Sequence, residues 1–218
     1  AGALPKVALT SYKALMWYCN AGKWSIATTG PVVLILGGSG GTGTTGLQLA
    51  KAFGASKIIT TTSAENFDYC KSLGADHLID YRTQHWWDVL QPGTIDIVYD
   101  TVGQTGTGNR AMTVLRASEH FGYYVTITGA VATDVKKGIT QHMFINSDTN
   151  LANLQTMDAL TKLVESEKLR MKRIDSVYGL TQIKEAFTRS STHGAVGKIS
   201  ISVSSSRTDA DGSAIEVV

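Results

Sequence analysis

The sequence predicts an α/β fold, a doubly wound parallel sheet with helices on both faces, and three observations predict it. Residues Pro31 to Gly37 form an unbroken apolar run closed by glycine, the pattern of a parallel strand buried on both faces. Beyond it, short strand-like runs and stretches of helical period take turns along most of the chain, which implies right-handed crossovers and helices on both sides of one sheet. Between the first strand and the helix after it the chain reads Gly37-Gly-Ser-Gly-Gly-Thr-Gly43, a turn too rich in glycine to be a plain connector.

Each element follows from local pattern. Apolar residues at Leu4, Val7, Ala8, Tyr12 and Leu15 recur at helical spacing, so Ala3 to Tyr18 is expected to be a helical lead-in ending near Asn20-Ala21-Gly22. After the Pro31–Gly37 strand come a helix over Thr44–Phe53, a strand over Lys57–Thr62, a helix over Ala64–Leu73 and a short strand over His77–Ile79. A weaker helix near Gln84–Leu90, a strand at Ile95–Tyr99, a helix at Asn109–Leu115 and a strand at Phe121–Thr128 continue the alternation. Leu151, Leu154, Met157, Leu160, Leu163 and Val164 make Leu151–Glu167 the clearest amphipathic helix, expected to pack on the sheet. A strand at Ile174–Tyr178, a helix at Thr181–Thr188 and a strand at Lys198–Val203 close the ordered part. The small polar run from Ser204 is expected to be a disordered tail.

The resulting organisation is a lead-in over 1–22, a dinucleotide-binding domain over 23–180, a C-terminal helix and strand over 181–203, and a tail over 204–218.

Composition narrows the function. With 43% hydrophobic and 17% charged residues the chain is globular. Twenty Lys and Arg against eighteen Asp and Glu leave a net charge of +2, which points to neither a nucleic acid nor an anionic membrane as partner. Cys19 and Cys70, without a C-x-x-C, make neither a disulfide framework nor a zinc knuckle, and a reducing compartment is expected. No stretch is apolar enough to span a membrane and the N-terminus lacks a signal-peptide layout, so the protein is not expected to be secreted.

The chemistry concentrates in the glycine loop. Gly38, Gly40 and Gly43 give G-x-G-x-x-G directly between a buried strand and a helix, the context the motif needs. The first glycine makes the turn, the second lets backbone approach a pyrophosphate, and the third lets helix and strand pack closely. The N–H groups of Gly41, Thr42 and Gly43 would then point from a helix N-terminus at a diphosphate. No G-x-x-x-x-G-K-[ST] is present, which disfavours phosphoryl transfer. An NAD site would carry Asp or Glu at the end of the next strand. Here that end reads Thr60-Thr61-Thr62-Ser63, without an acid to repel a 2′-phosphate, so the cofactor is expected to be NADP(H). Glu65 stands close, Asn66 occupies a place where a cation would argue more strongly, and Lys71, Tyr81 and Arg82 could contact a phosphate.

These motifs resemble the medium-chain dehydrogenase/reductases, in particular the zinc-independent branch of quinone oxidoreductase-like and enoyl reductase-like members. Ala3–Tyr12 resembles the family's entry helix and Gly38–Gly43 its cofactor loop. Ser72–Asp76 with Ile79-Asp80-Tyr81, Tyr99–Gly103 and Gly197-Lys198-Ile199 follow in the same order. The resemblance implies that Gly38, Ser39, Gly40, Gly41, Thr42 and Gly43 carry the diphosphate, with Thr10, Gly129 and Phe144 near the nicotinamide. It places Ser63 and Tyr81 near the adenosine phosphate, Thr101 and Val102 against the adenosine, and Lys198 also at the cofactor; Asn66, by its place after the strand end, is a further cofactor-binding candidate. No counterpart of the family's N-terminal catalytic domain is found in the 218 residues, so the chain is expected to be the cofactor-binding part of such an enzyme.

Two functions follow. One is an NADPH-dependent oxidoreductase that reduces a small quinone or an enone by hydride transfer, without an obligatory metal or catalytic acid. The other is a non-catalytic nucleotide-binding or structural subunit of a larger assembly. The resemblance also implies a homodimer through a sheet edge at Lys172–Tyr178; the expected location, a reducing compartment, is cytoplasmic or mitochondrial or plastid matrix. His77, His85, His120, His142 and His193 nominate no catalytic group, and Trp86-Trp87 are read as packing residues rather than a binding platform.

Overall fold

The computed structural model describes residues 2–26, 29–118, 120–146, 151–203, 207–208 and 214–215. Six strands form one wholly parallel sheet: β1 Val32–Leu36, β2 Lys57–Thr62, β3 His77–Asp80, β4 Ile97–Asp100, β5 Tyr123–Thr126 and β6 Thr140–Met143, in the order β3-β2-β1-β4-β5-β6. β1 lies between β2, with Val33 beside Ile58, and β4, with Val33 beside Ile97. The chain thus leaves β1 toward one half of the sheet and returns to build the other, and the crevice outside the strand ends opens where the order reverses.

The apolar run predicted to be central is central. Val33, Leu34 and Ile35 have no exposed surface. Their alternation divides the core in two. Val33 and Ile35 join Leu15, Leu47 and Leu49 on one face. Leu34 and Leu36 join Val98, Val114 and Tyr124 on the other. Fully burying each such side chain contributes about 1.5–3 kcal/mol.

The lead-in is α1, Pro5–Tyr12, continued by a wider turn over Lys13–Tyr18 and stopped at Asn20, whose φ of 56° suits asparagine. Pro5 at the first helical position leaves no lost hydrogen bond there. The lead-in is integral to the core. Ser11 Oγ donates to Thr42 O at 2.9 Å and Thr45 Oγ1 to Val7 O at 3.0 Å, both joining it to α2, Gly41–Ala52. The crossovers α3 Phe67–Ser72, α4 Trp86–Val89 and α5 Thr107–Val114 complete the winding.

Three expectations need correction. β6 was not predicted, because Thr-Gln-His-Met carries no apolar run; it is the sheet's edge, half-exposed, and follows a turn at Gly138 with φ of 83°. The amphipathic helix α6, Leu151–Glu165, lies against α1 rather than packing simply on the sheet. Leu160 is buried, while Leu154 and Val164 face outward. β7, Ile174–Gly179, is not an edge of the large sheet. It pairs in parallel with β8, Lys198–Ser202, in a separate sheet backed by α7, Ile183–Ser191. One side of the expected dimer edge at Lys172–Tyr178 is therefore taken by β8, and the boundary at 180 falls between the two strands of this small unit. The predicted disordered tail lies largely outside the described residues; within it β9, Arg207–Thr208, and β10, Ala214–Ile215, pair antiparallel.

Candidate dinucleotide site

The glycine loop is shaped by the strand beside it. Thr60 Oγ1 donates to Ile35 O at 2.6 Å, Thr61 Oγ1 accepts from Gly37 N at 3.0 Å, and Thr62 Oγ1 donates to Ser39 Oγ at 2.9 Å. The three threonines that mark the missing acid thus also staple the loop in place. Thr101, at the end of β4, donates to Leu36 O at 2.6 Å from the other side.

Glycine is required at two positions by space rather than by φ. A Cβ on Gly43 would lie 2.1 Å from Gly37 O, and one on Gly38 would lie 2.3 Å from Thr60 Oγ1. α2 can therefore start tight against the loop only because these side chains are absent. Its N-cap is Gly40, with φ −71° and ψ 165°, and no side chain caps the helix. The first amides of a twelve-residue helix are left without a side-chain cap, with the positive end of its dipole behind them.

In front of the loop lies a cavity of about 510 Å³. Five of the predicted residues border it: Ser39, Gly40, Tyr81, Thr101 and Val102. Gly38 and Gly43 lie beneath it as packing positions, and Gly41 and Thr42 begin α2 alongside. Ser63 and Asn66 are buried at the end of β2, where Asn66 Nδ2 donates to Ser63 Oγ at 2.9 Å; neither lines the cavity, and Asn66 supports Ser63.

Next to Tyr81 and the end of β2, charges of both signs are paired. Arg82 binds Glu65 at 2.7 Å, with both side chains about half exposed. A backbone hydrogen bond at Glu65, then hydrogen bonds from Ser63 and Arg82, hold this carboxyl below its usual range. The one acid near the strand end is thereby turned to Arg82. Lys71 is exposed and 3.9 Å from Asp68, on a solvated helix face.

At the end of β4, Asp100 is fully buried. It accepts from Val102 N at 2.9 Å and Gly103 N at 3.0 Å, fixing the turn that presents Thr101 and Val102.

The remaining predicted residues gather elsewhere. Thr10 is buried in α1, with its hydroxyl donating to Lys6 O at 2.8 Å and accepting from Asn146 Nδ2 at 3.4 Å. Lys6 Nζ also donates to the Asn146 carbonyl. Phe144, two residues before Asn146, packs on Tyr18 with ring centres 4.7 Å apart. Asn146 Oδ1 is buried and finds no hydrogen-bond partner among the described residues. Gly129 is exposed at φ 84° with nothing within 4 Å of a notional Cβ. Thr10 and Phe144 thus form a second cluster beyond β6, and Gly129 stands free at the end of β5. Lys198 lies on the glycine loop, its Cδ 2.5 Å from the place a Gly41 Cβ would take.

Sequence reasoning missed part of the cavity wall: Gln84, His85, Gln104, Thr107, His193 and Ala195. They come from three separated segments, and no local motif joins them. The pair Trp86-Trp87 was the available signal. Trp86 does pack in the core, as expected, yet both rings also line the cavity. His85 stacks on Trp87 at 4.5 Å and 8°, and the Arg110 guanidinium sits 3.7 Å from the Trp87 ring centre.

A parallel sheet in this order, with a glycine loop leading into an uncapped helix at the reversal point, defines a dinucleotide-binding fold of Rossmann type. A family model described as zinc-binding dehydrogenase matches residues 73–201, and the chain belongs to that family, within the medium-chain dehydrogenase/reductases. The 2-methylene-furan-3-one reductase of Solanum lycopersicum is 34% identical over 204 residues, covering 92% of this chain and 46% of the relative. An NADPH-dependent alkenal/one oxidoreductase, chloroplastic, of Arabidopsis thaliana is 29% identical over 174 residues, 79% of this chain and 40% of its own length. The solved quinone oxidoreductase of Coxiella burnetii superposes with a TM-score of 0.75 at 29% identity, covering 94% of this chain and 60% of that one. The chain spans about half the length of the curated relatives it matches. Among the described residues no group of three or more His, Cys, Asp or Glu side chains could hold a metal ion. No helix among them is long and apolar enough to cross a membrane.

Proposed function

We propose that the glycine loop and its cavity hold NADP(H), and that the protein to which this chain belongs reduces a quinone or an activated carbon–carbon double bond. The observation that carries the reading is the uncapped N-terminus of α2 opening beside a cavity at the reversal point of the sheet. The names of the relatives, a furanone reductase, an alkenal/one oxidoreductase and a quinone oxidoreductase, support the substrate class.

In this reading Ser39 and the amides of Gly41, Thr42 and Gly43 bind the diphosphate, while Gly38 and Gly43 keep the loop thin. Thr101 and Val102 hold the adenosine. Tyr81, Ser63 and Arg82 face the 2′-phosphate, with Asn66 fixing the Ser63 hydroxyl. The missing acid at Thr61-Thr62-Ser63 favours NADPH over NADH. Thr10, Gly129 and Phe144 border the nicotinamide end, where the orphaned Asn146 Oδ1 is an acceptor suited to an amide N–H. When bound, NADPH supplies the hydride; the residues of this chain bind, orient and exclude water.

The test is NADPH consumption by the protein with a quinone and with an enone. Turnover with either supports the reading; tight NADPH binding without turnover on any such acceptor removes the catalytic half of it. In that case the second reading, a nucleotide-binding subunit of a larger assembly, takes over. It is favoured by the apolar surface of the small unit, where Val177 is 63% and Phe187 71% exposed.

A further inference from the structure

β7, α7 and β8 stand apart from the large sheet, yet the segment joining α7 to β8 lies on the glycine loop. Gly197 N–H donates to Ser39 O at 2.8 Å, and Gly197 and Gly40 pair as a single parallel bridge. One residue on, the Lys198 side chain runs along Gly41, the first residue of α2. His193 and Ala195 of the same segment line the cavity. Residues 193–198 are therefore a strap across the loop.

The strap is held from behind by one carboxylate. Asp175, on β7, has a side chain 6% exposed. It accepts both arms of Arg189 from α7, Nε to Oδ2 at 2.8 Å and Nη2 to Oδ1 at 2.6 Å, and also Val196 N–H at 3.0 Å. Arg189 Nη2 donates further to Gly194 O at 3.1 Å. Two points of the strap, Gly194 and Val196, thus hang on one bidentate pair, whose fork fixes direction as well as distance. A third point is backbone against backbone: Gly197 sits at φ 79°, and a Cβ there would lie 2.2 Å from Arg173 O.

The placement of Lys198 is electrostatically uphill by itself. A cation beside the first turn of a helix opposes the helix dipole, and among the described residues no carboxylate pairs with Lys198. An anion between the two would reverse the sign of both terms.

We propose that Asp175 and Arg189 are positioning residues for the dinucleotide: through the strap they hold Lys198 beside the N-terminus of α2, so that its charge and the helix amides meet the diphosphate from two sides. Neither residue lines the cavity; both act through Gly194, Val196 and Lys198. The inference rests on the dinucleotide reading above.

The experiment is a double-mutant cycle on the full chain, with NADPH affinity measured by calorimetry for wild type, Asp175→Asn, Arg189→Lys, Lys198→Gln and the two doubles carrying Lys198→Gln. Asp175→Asn and Arg189→Lys are each expected to weaken binding about tenfold, and to add almost nothing once Lys198 is replaced. If either single variant leaves affinity unchanged, or if its loss is undiminished in the Lys198→Gln background, the positioning role is wrong while the dinucleotide site stands. Arg189→Lys keeps the charge and loses only the fork, so it decides the question if Asp175→Asn does not fold. Wild-type protein that binds no NADPH overturns both readings.

Discussion

Gly43 shows how much one missing side chain decides. Its notional Cβ would meet Gly37 O at 2.1 Å, Gly37 C at 2.8 Å and Gly38 Cα at 2.8 Å, all backbone atoms that cannot rotate away. In Gly43→Ala, α2 has to back off the loop, and overpacking of this kind costs about 1–3 kcal/mol. The expected result is a folded protein of lower thermal stability with NADPH affinity reduced at least roughly a hundredfold, since the amides no longer converge. Calorimetry with the variant checks this; unchanged affinity would mean the loop does not carry the diphosphate. Gly43 was legible in the sequence because its spacing from Gly38 and Gly40 states the requirement directly. Asn66 was less so. Its neighbourhood in the chain placed it at the phosphate, whereas its amide is spent on Ser63.

At the scale of elements, the buried strands were the readable ones. β1 and β2 announce themselves because a strand covered on both faces must be apolar, or must satisfy each hydroxyl as Thr60, Thr61 and Thr62 do. β6 announces nothing. An edge strand needs no apolar run, and Thr140–Met143 has none. β7 was legible as a strand and illegible in its partner, because pairing with β8 depends on residues more than twenty positions away. The small β7–α7–β8 unit should also respond to acid in its own way. Arg189, above all, holds the Asp175 carboxyl well below the usual carboxylate range, with Val196 N–H and Ser176 assisting. A carboxyl depressed in the folded state contributes stability above its unfolded value, about 3.9, and that stability is lost as pH falls through the folded value. The protection of the amides of residues 193–198, relative to their intrinsic exchange rates, should therefore fall below about pH 4 while the central strands stay protected. In Asp175→Asn the same residues should already exchange quickly at neutral pH and show little further change. Strap protection in the wild type that is unchanged between neutral pH and about pH 3, once intrinsic rates are divided out, would contradict this.

For the whole molecule, strand order turns local motifs into a site. Residues from Leu36 to Val102 reach one cavity because β1 lies between β2 and β4, and none of the segments could form it alone. The alternating pattern and the glycine motif made the sheet and the loop at its reversal point legible. The outer wall was not, since Gln84, Gln104 and His193 meet only after the chain has crossed the sheet and come back from a separate unit. The residues assigned to the nicotinamide were named from resemblance, and the structure gathers Thr10 with Asn146, while neither they nor Phe144 line the cavity. The central claim is that this crevice is built for a dinucleotide bearing a 2′-phosphate, and a paired calorimetric titration with NADPH and NADH tests it most directly. The account predicts saturable one-to-one binding with NADPH the tighter ligand, by roughly tenfold or more given one charge-assisted phosphate contact. Binding of NADH as tight as NADPH would contradict the reading of Thr61, Thr62 and Ser63, and binding of neither would contradict the site itself.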